Sequence, residues 1–239
     1  FRLLLRGEEP KIPDGNLLLG QLLGAKVSFL SMEEYRDVQN TYSEVKKRYG
    51  AEGLKTYAIP VGASDEVGLW GYVDCVAELK EDFQKVGIKP GAVVVAVGSG
   101  GTLGGLILGR ALYGLDTDIV GFNVCDKEAY FVNKIKKDLA LWQKRYRSTI
   151  NVKDLPIKII DGYVGSGYGK ATPEVFNTIR KIAKQEGIVL DPVYTGKAFN
   201  AMLEEIRSGR LSGIDDIVFI HTGGIYGLFP QKVELIRAV

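Results

Sequence analysis

The chain has 239 residues, 46% of them hydrophobic and 25% charged, with a net charge of +2. That length fits one large domain or two modest ones, and the near-neutral balance gives no ground for a nucleic acid or a charged membrane surface as partner. Two cysteines and one histidine leave no set of metal ligands. With no secretory leader and no apolar run of about eighteen residues, a cytoplasmic protein with no membrane partner is expected.

Strand-like and helix-like runs alternate along the chain. Arg2–Arg6 is already a strand at the first residues, so further chain is expected upstream. The strands that follow are Lys26–Leu30, Thr56–Ile59, Ala92–Val97, Ile119–Val124, Ile157–Asp161 and Asp216–His221. Between them the apolar spacing predicts helices over Asn16–Leu23, Glu33–Tyr49, Val67–Lys85, Thr102–Tyr113, Lys127–Arg147, Pro173–Glu186, Gly196–Ser208 and Gln231–Ala238. Apolar strands alternating with helices mean α/β architecture, with parallel twisted sheets flanked by helices. Pro60 to Ser64 breaks the alternation, which places a boundary near residue 64 between a small α/β lobe over 1–64 and a larger one over 65–239. Cys75, in a helical stretch, and Cys125, at a buried strand end, read as small core hydrophobes.

The most informative segment runs V-V-V-A-V-G-S-G-G-T from Val93 to Thr102. A buried strand enters a turn in which Gly98, Gly100 and Gly101 allow tight backbone geometry, and Thr102 is placed to cap the helix beyond it. The free N–H groups and positive dipole end of that helix suit a phosphate. The spacing fails the G-x-G-x-x-G dinucleotide pattern, because Leu103 stands where the third glycine belongs, although Asp126 sits where a ribose-binding acid would. A nicotinamide-binding fold and an empty β–α turn therefore remain alternatives.

Ligands of doubly wound sheets bind beyond the carboxyl ends of strands. The exits to inspect are Gly98–Thr102, Gly162–Lys170, Leu190–Lys197 and His221–Gly224. Taken singly, Tyr194 reads as a core aromatic, Thr195 as a helix cap, Thr222 as a strand end and His221 as structural rather than a general base.

Taken together, G-S-G-G-T after the valine strand, G-Y-G around Tyr168, L-D-P-V-Y-T-G-K-A over Leu190–Ala198 and H-T-G-G from His221 resemble the fold type II pyridoxal-phosphate (PLP) enzymes. The branch they resemble contains the D-cysteine desulfhydrases and the 1-aminocyclopropane-1-carboxylate (ACC) deaminases. The likeness extends from about Leu4 to Gly227. It implies a two-lobed fold like the tryptophan synthase β subunit, PLP as cofactor, a small amino-acid substrate and a homodimer. By the same resemblance Gly98, Ser99, Gly100, Gly101 and Thr102 cradle the cofactor phosphate. Tyr168 and Tyr194 are the active-site tyrosines near the substrate, Thr195 faces the pyridine nitrogen, and Thr222 lies near the ring.

ACC deaminases resemble D-P-V-Y-E-G-K and carry leucine in place of the H-T-G-G threonine, whereas this chain has Thr195 and Thr222. A hydroxyl leaves the ring a weaker electron sink than a carboxylate would. That suits α,β-elimination of D-cysteine to pyruvate, ammonia and hydrogen sulfide, with ACC deamination or cysteate sulfo-lyase activity as alternatives. Lys170 and Lys197 match neither the family's Schiff-base lysine nor its G-N-K motif. That lysine and the S-N-H segment are expected upstream, and a non-catalytic PLP-fold module is the reading if they do not exist.

Overall fold

The computed structural model describes residues 1–237, which leaves Ala238 of the last expected helix outside the described residues. Chain contacts divide it into two units, Phe1–Pro60 and Val61–Val239.

The first unit holds β1 (Arg2–Arg6) and β2 (Lys26–Leu30), paired in parallel through the crossover helix α1 (Gly15–Leu22). The expected Glu33–Tyr49 helix is interrupted at Asp37 (φ −106°, ψ 44°), giving α2 (Met32–Arg36) and α3 (Val38–Ala51). Ser31 and Glu34 cap α2 reciprocally, each side chain bonding the other's backbone N–H. Thr56–Ile59 has strand-forming residues but no strand, and Tyr57 and Ile59 are exposed. Propensity alone does not satisfy a strand's backbone groups; a neighbouring strand must.

The second unit is a four-stranded parallel sheet in the order β5-β4-β3-β6. Its strands are β3 (Ala92–Val97), β4 (Asp118–Asn123), β5 (Lys158–Ile160) and β6 (Ile217–Phe219). Helix α4 (Trp70–Val86) precedes β3, and α5 (Gly101–Tyr113) and α6 (Glu128–Tyr146) link β3 to β4 and β4 to β5. Helices α7 (Pro173–Glu186) and α8 (Thr195–Arg207) carry the chain back to β6, on the other side of β3, before α9 (Lys232–Arg237). All six residues of β3 are buried, and they alternate between two cores. Val93, Val95 and Val97 face the α4–α5–α6 layer, while Ala92, Val94 and Ala96 face α8. The strand order reverses at β3, so its carboxyl end lies at the topological switch point where such sheets bind ligands. The glycine turn begins there. Val61–Ala63 and Ser64 group with this unit because they pack on that turn: the Ser64 hydroxyl donates to the Ser99 carbonyl at 3.0 Å.

Helix α5 carries glycine at 101, 105 and 109, one turn apart on a single face. A Cβ on Gly105 would stand 2.6 Å from both the Leu69 carbonyl oxygen and Tyr72 Cβ, so backbone, not a flexible tip, blocks it. Alanine favours a helix over glycine by about 1 kcal/mol, but overpacking a fixed backbone costs about 1–3 kcal/mol. Gly105→Ala is therefore expected to lower stability by about 1–2 kcal/mol. Urea unfolding measures it, and a stabilised variant would show that α4 and α5 are not in fixed contact.

Candidate active site

The sheet's carboxyl edge assembles the site. Gly100 adopts φ 90°, a backbone region that favours glycine, and serves as N-cap of α5 without any side-chain cap. The N–H groups of the helix's first turn have no intrahelical acceptor, and the dipole end adds positive potential. Thr102 was expected to cap this helix. It lies instead inside the first turn, because the helix starts one residue earlier, at Gly101. The turn is braced from below by Ser64, whose carbonyl in turn accepts the Lys134 ammonium at 2.7 Å.

Tyr194 lies directly on Gly98, where a Cβ would stand 2.6 Å from the ring's Cε1. The hydroxyls of Tyr194 and Tyr168 are 2.5 Å apart, with ring centroids at 6.0 Å. Burial pushes the Tyr194 phenol well above its ordinary range, and the bond to Tyr168 adds to this. Tyr194 thus keeps its proton, and either hydroxyl can be the donor in the bond between the rings.

Tyr194 is held by the residues around it. Buried Asp191 accepts the backbone N–H of Val193 at 2.7 Å and of Tyr194 at 2.8 Å on Oδ2. Its Oδ1 accepts the Thr195 N–H at 2.8 Å and the Thr195 hydroxyl at 2.7 Å. A carboxylate at a helix N-terminus is favoured by both the free N–H groups and the dipole. Thr195 is the first residue of α8 rather than its cap, is fully buried, and points its hydroxyl at Asp191. Its oxygen also accepts the Asp191 N–H at 2.9 Å.

Thr222 lies beyond β6 and is exposed. Its loop reaches the same place through Gly224 (φ 99°), where a Cβ would stand 2.8 Å from Asp191 Cγ. His221 ties the strand exit down: Nδ1 accepts the Gly223 N–H and Nε2 meets the Val189 carbonyl, each at 3.1 Å. That pairing requires the Nε2–H tautomer, a structural use of the ring.

Cys125, like Cys75, packs half-buried against the larger core, its thiol donating to the Gly98 carbonyl at 3.3 Å. Burial, and then Asp126, push it up to about 11, so it stays a neutral thiol. Lys197 is buried and Nζ donates to the carbonyls of Val164 at 2.7 Å and Gly167 at 2.9 Å. Burial pushes this ammonium down from its usual range. Lys170 is exposed. Asp191 was missed in the sequence, because a cap is read at the position directly before a helix, which is Tyr194, and not three residues further back.

Residues 9–223 match the family of pyridoxal-phosphate dependent enzymes. The chain is 35% identical over 229 residues to the D-cysteine desulfhydrase of Serratia proteamaculans, covering 95% of this chain and 68% of that one. It is 36% identical over 237 residues to the mitochondrial bifunctional D-cysteine desulfhydrase/1-aminocyclopropane-1-carboxylate deaminase of Arabidopsis thaliana, covering 97% and 57%. A crystal structure of an ACC deaminase homologue superposes with a TM-score of 0.85 at 34% identity, over 99% of this chain and 69% of that one. The chain therefore belongs to the pyridoxal-phosphate dependent enzymes, with their fold type II architecture. The nicotinamide reading falls with this assignment. Asp126, its ribose ligand, instead accepts the Lys127 N–H at 2.7 Å.

Two predictions follow from this geometry. Gly98→Ala is expected to displace the Tyr194 ring and lower turnover at least tenfold, with a fold loss of no more than about 3 kcal/mol. Kinetics together with urea unfolding check it; unchanged turnover would place Tyr194 outside the chemistry. The second concerns Asp161, which opens the Tyr168 loop. Its slight burial would raise its pKa, but bonds from the Gly162 N–H, Asn123 and the Glu128 N–H outweigh this and hold the carboxyl below its ordinary range. Because the folded value lies below the unfolded one, the anchoring is present above about pH 4 and is lost as pH falls through the folded value. A carboxyl-carbon NMR titration should give Asp161 a midpoint below about 3.9, and an ordinary midpoint would remove the anchor.

Proposed function

We propose that this chain is the PLP-binding part of a lyase that acts on D-cysteine or a related D-amino acid, releasing pyruvate, ammonia and hydrogen sulfide. The observation that carries the reading is the hydrogen-bonded Tyr194–Tyr168 hydroxyl pair, with the Tyr194 ring set on Gly98 beside an uncapped helix N-terminus. The residues present fit the cofactor's phosphate through the first-turn N–H groups of α5, which no side chain caps. PLP, when bound, draws electrons from the substrate's α-carbon.

The protein's own groups do the rest. The tyrosine pair would donate a hydroxyl to a substrate carboxylate and so orient it, while the α-proton would go to the lysine the resemblance places upstream and the Cβ–S electron pair would leave with sulfur as hydrosulfide. Thr195 presents no carboxylate of its own, and Asp191 behind it is spent on N–H groups and the hydroxyl. A weaker sink at the ring nitrogen matches a substrate with a good leaving group better than a cyclopropane. Lys197, bound to two carbonyls, is not the Schiff-base lysine in this reading, and that role belongs to the upstream segment the family resemblance implies. ACC deamination is the second reading, favoured by the names of the Arabidopsis relative and the ACC deaminase homologue.

The test is sulfide release from D-cysteine against ammonia and 2-oxobutyrate from ACC, using the full-length protein reconstituted with PLP. D-cysteine is expected to be the better substrate, and Tyr194→Phe to lower kcat/KM by about 10²–10³ with cofactor binding retained. Turnover of ACC alone would overturn the substrate assignment. An unchanged kcat/KM in the phenylalanine variant would overturn the role of the pair.

A further inference from the structure

Lys197 is 1% exposed, yet among the described residues its ammonium forms no salt bridge. Its two bonds go to main-chain carbonyls distant in sequence, Val164 at 33 residues and Gly167 at 30. A buried cation is expensive, and an apolar side chain would fill the same space without that cost. The loop it grips has little to hold its own shape. Between Asp161 and Lys170 four glycines, at 162, 165, 167 and 169, take φ between +69° and +132°. Tyr168 follows the second gripped carbonyl directly.

We propose that Lys197 is a positioning residue, clamping the 161–170 loop to α8 so that the Tyr168 hydroxyl meets that of Tyr194. The arrangement makes α8 the common reference for both rings. Tyr194 is its N-cap, and Lys197 lies in its first turn, so clamp and partner ring are fixed to one rigid element. The base of the loop has a second tether on the same helix: the Tyr163 hydroxyl bonds the buried Glu205 carboxylate, which Arg210 neutralises at 2.5 Å. With the base tied at Tyr163, Lys197 selects the path of the loop from Val164 to Gly167. The clamp itself is independent of the cofactor; its kinetic consequence rests on the lyase reading above.

The test uses the full-length protein and two readouts. Hydrogen–deuterium exchange of the 162–170 amides is expected to quicken at least tenfold in Lys197→Met, with β3 and α7 unchanged. In a double-mutant cycle on D-cysteine elimination, Lys197→Met and Tyr168→Phe are each expected to lower kcat. Added to Tyr168→Phe, Lys197→Met should cost less than about twofold more, because both act through one hydroxyl contact. Should the methionine variant not fold, Lys197→Gln, which keeps a donor on a shorter neutral side chain, is expected to show the same loop-confined acceleration. Loop exchange that is unchanged, or quickened uniformly across the protein, overturns the clamp, whatever the substrate proves to be. Additive kinetic losses overturn its action through Tyr168. Absence of elimination with an intact loop effect counts only against the lyase reading.

Discussion

Everything at the carboxyl edge of the large sheet depends on one buried carboxylate. Asp191 gathers three backbone N–H groups and one hydroxyl on its two oxygens. Without it, the buried Thr195 N–H that opens α8 and the half-buried N–H groups of Val193 and Tyr194 just before it would lose their acceptor, a cost of about 1–3 kcal/mol for a fully buried group. With it, the backbone at Tyr194 is fixed in an unusual conformation (φ −120°, ψ −73°) that sends the ring across Gly98. The glycine can accept that contact only because it has no side chain. A cap, a ring and a missing Cβ thus form one unit, and the glycine turn and the tyrosine pair are positioned by the same carboxylate.

Two helix N-termini face this edge, and the protein treats them in opposite ways. That of α8 is satisfied from within, by Asp191. That of α5 has no side-chain cap at all. A helix start without a side-chain cap, beside the hydroxyl pair, offers donors to an anionic cofactor and an amino-acid carboxylate, while the nearby Asp191 carboxylate is already engaged by four donors of its own. The neutral thiol of Cys125 and the internally engaged Lys197 add nothing to offset that balance.

The parts of this design that were legible in the sequence are those written in continuous apolar runs and strong terminators. β3 was readable at both ends because six apolar residues stop at Gly98, and α7 because Pro173 opens it and Gly187 closes it in the left-handed region. Asp37 hid a break, since an acid inside a helical pattern is neutral to periodicity, and its side chain makes no cap bond to α3 that would mark the position. Thr56–Ile59 carried the composition of a strand, but pairing is a property of neighbours that composition does not encode. At the site, motif residues were recognisable as a set, while their orientations were not. Thr195 turns its hydroxyl inward because Asp191 lies four residues back, and Thr102 misses the cap because Gly100 can take φ 90° where threonine cannot.

The same reasoning explains why Lys197 was visible as a candidate but not as a clamp. In sequence it is one lysine in a helix start, and its partners are carbonyls with no side-chain signature, on a loop whose path only the folded chain defines. Glycine-rich loops give a site reach at the cost of order, since their backbones lose the most entropy on fixing. A buried donor aimed at two of the loop's carbonyls restores that order without adding bulk near the reacting groups, and because it donates to main chain it constrains the path and not the side chains. Tyr168, half exposed on a loop gripped one residue earlier, is therefore held in place while its ring keeps room to meet a substrate. Precision at this edge comes from α8, and adaptability comes from the loop it holds.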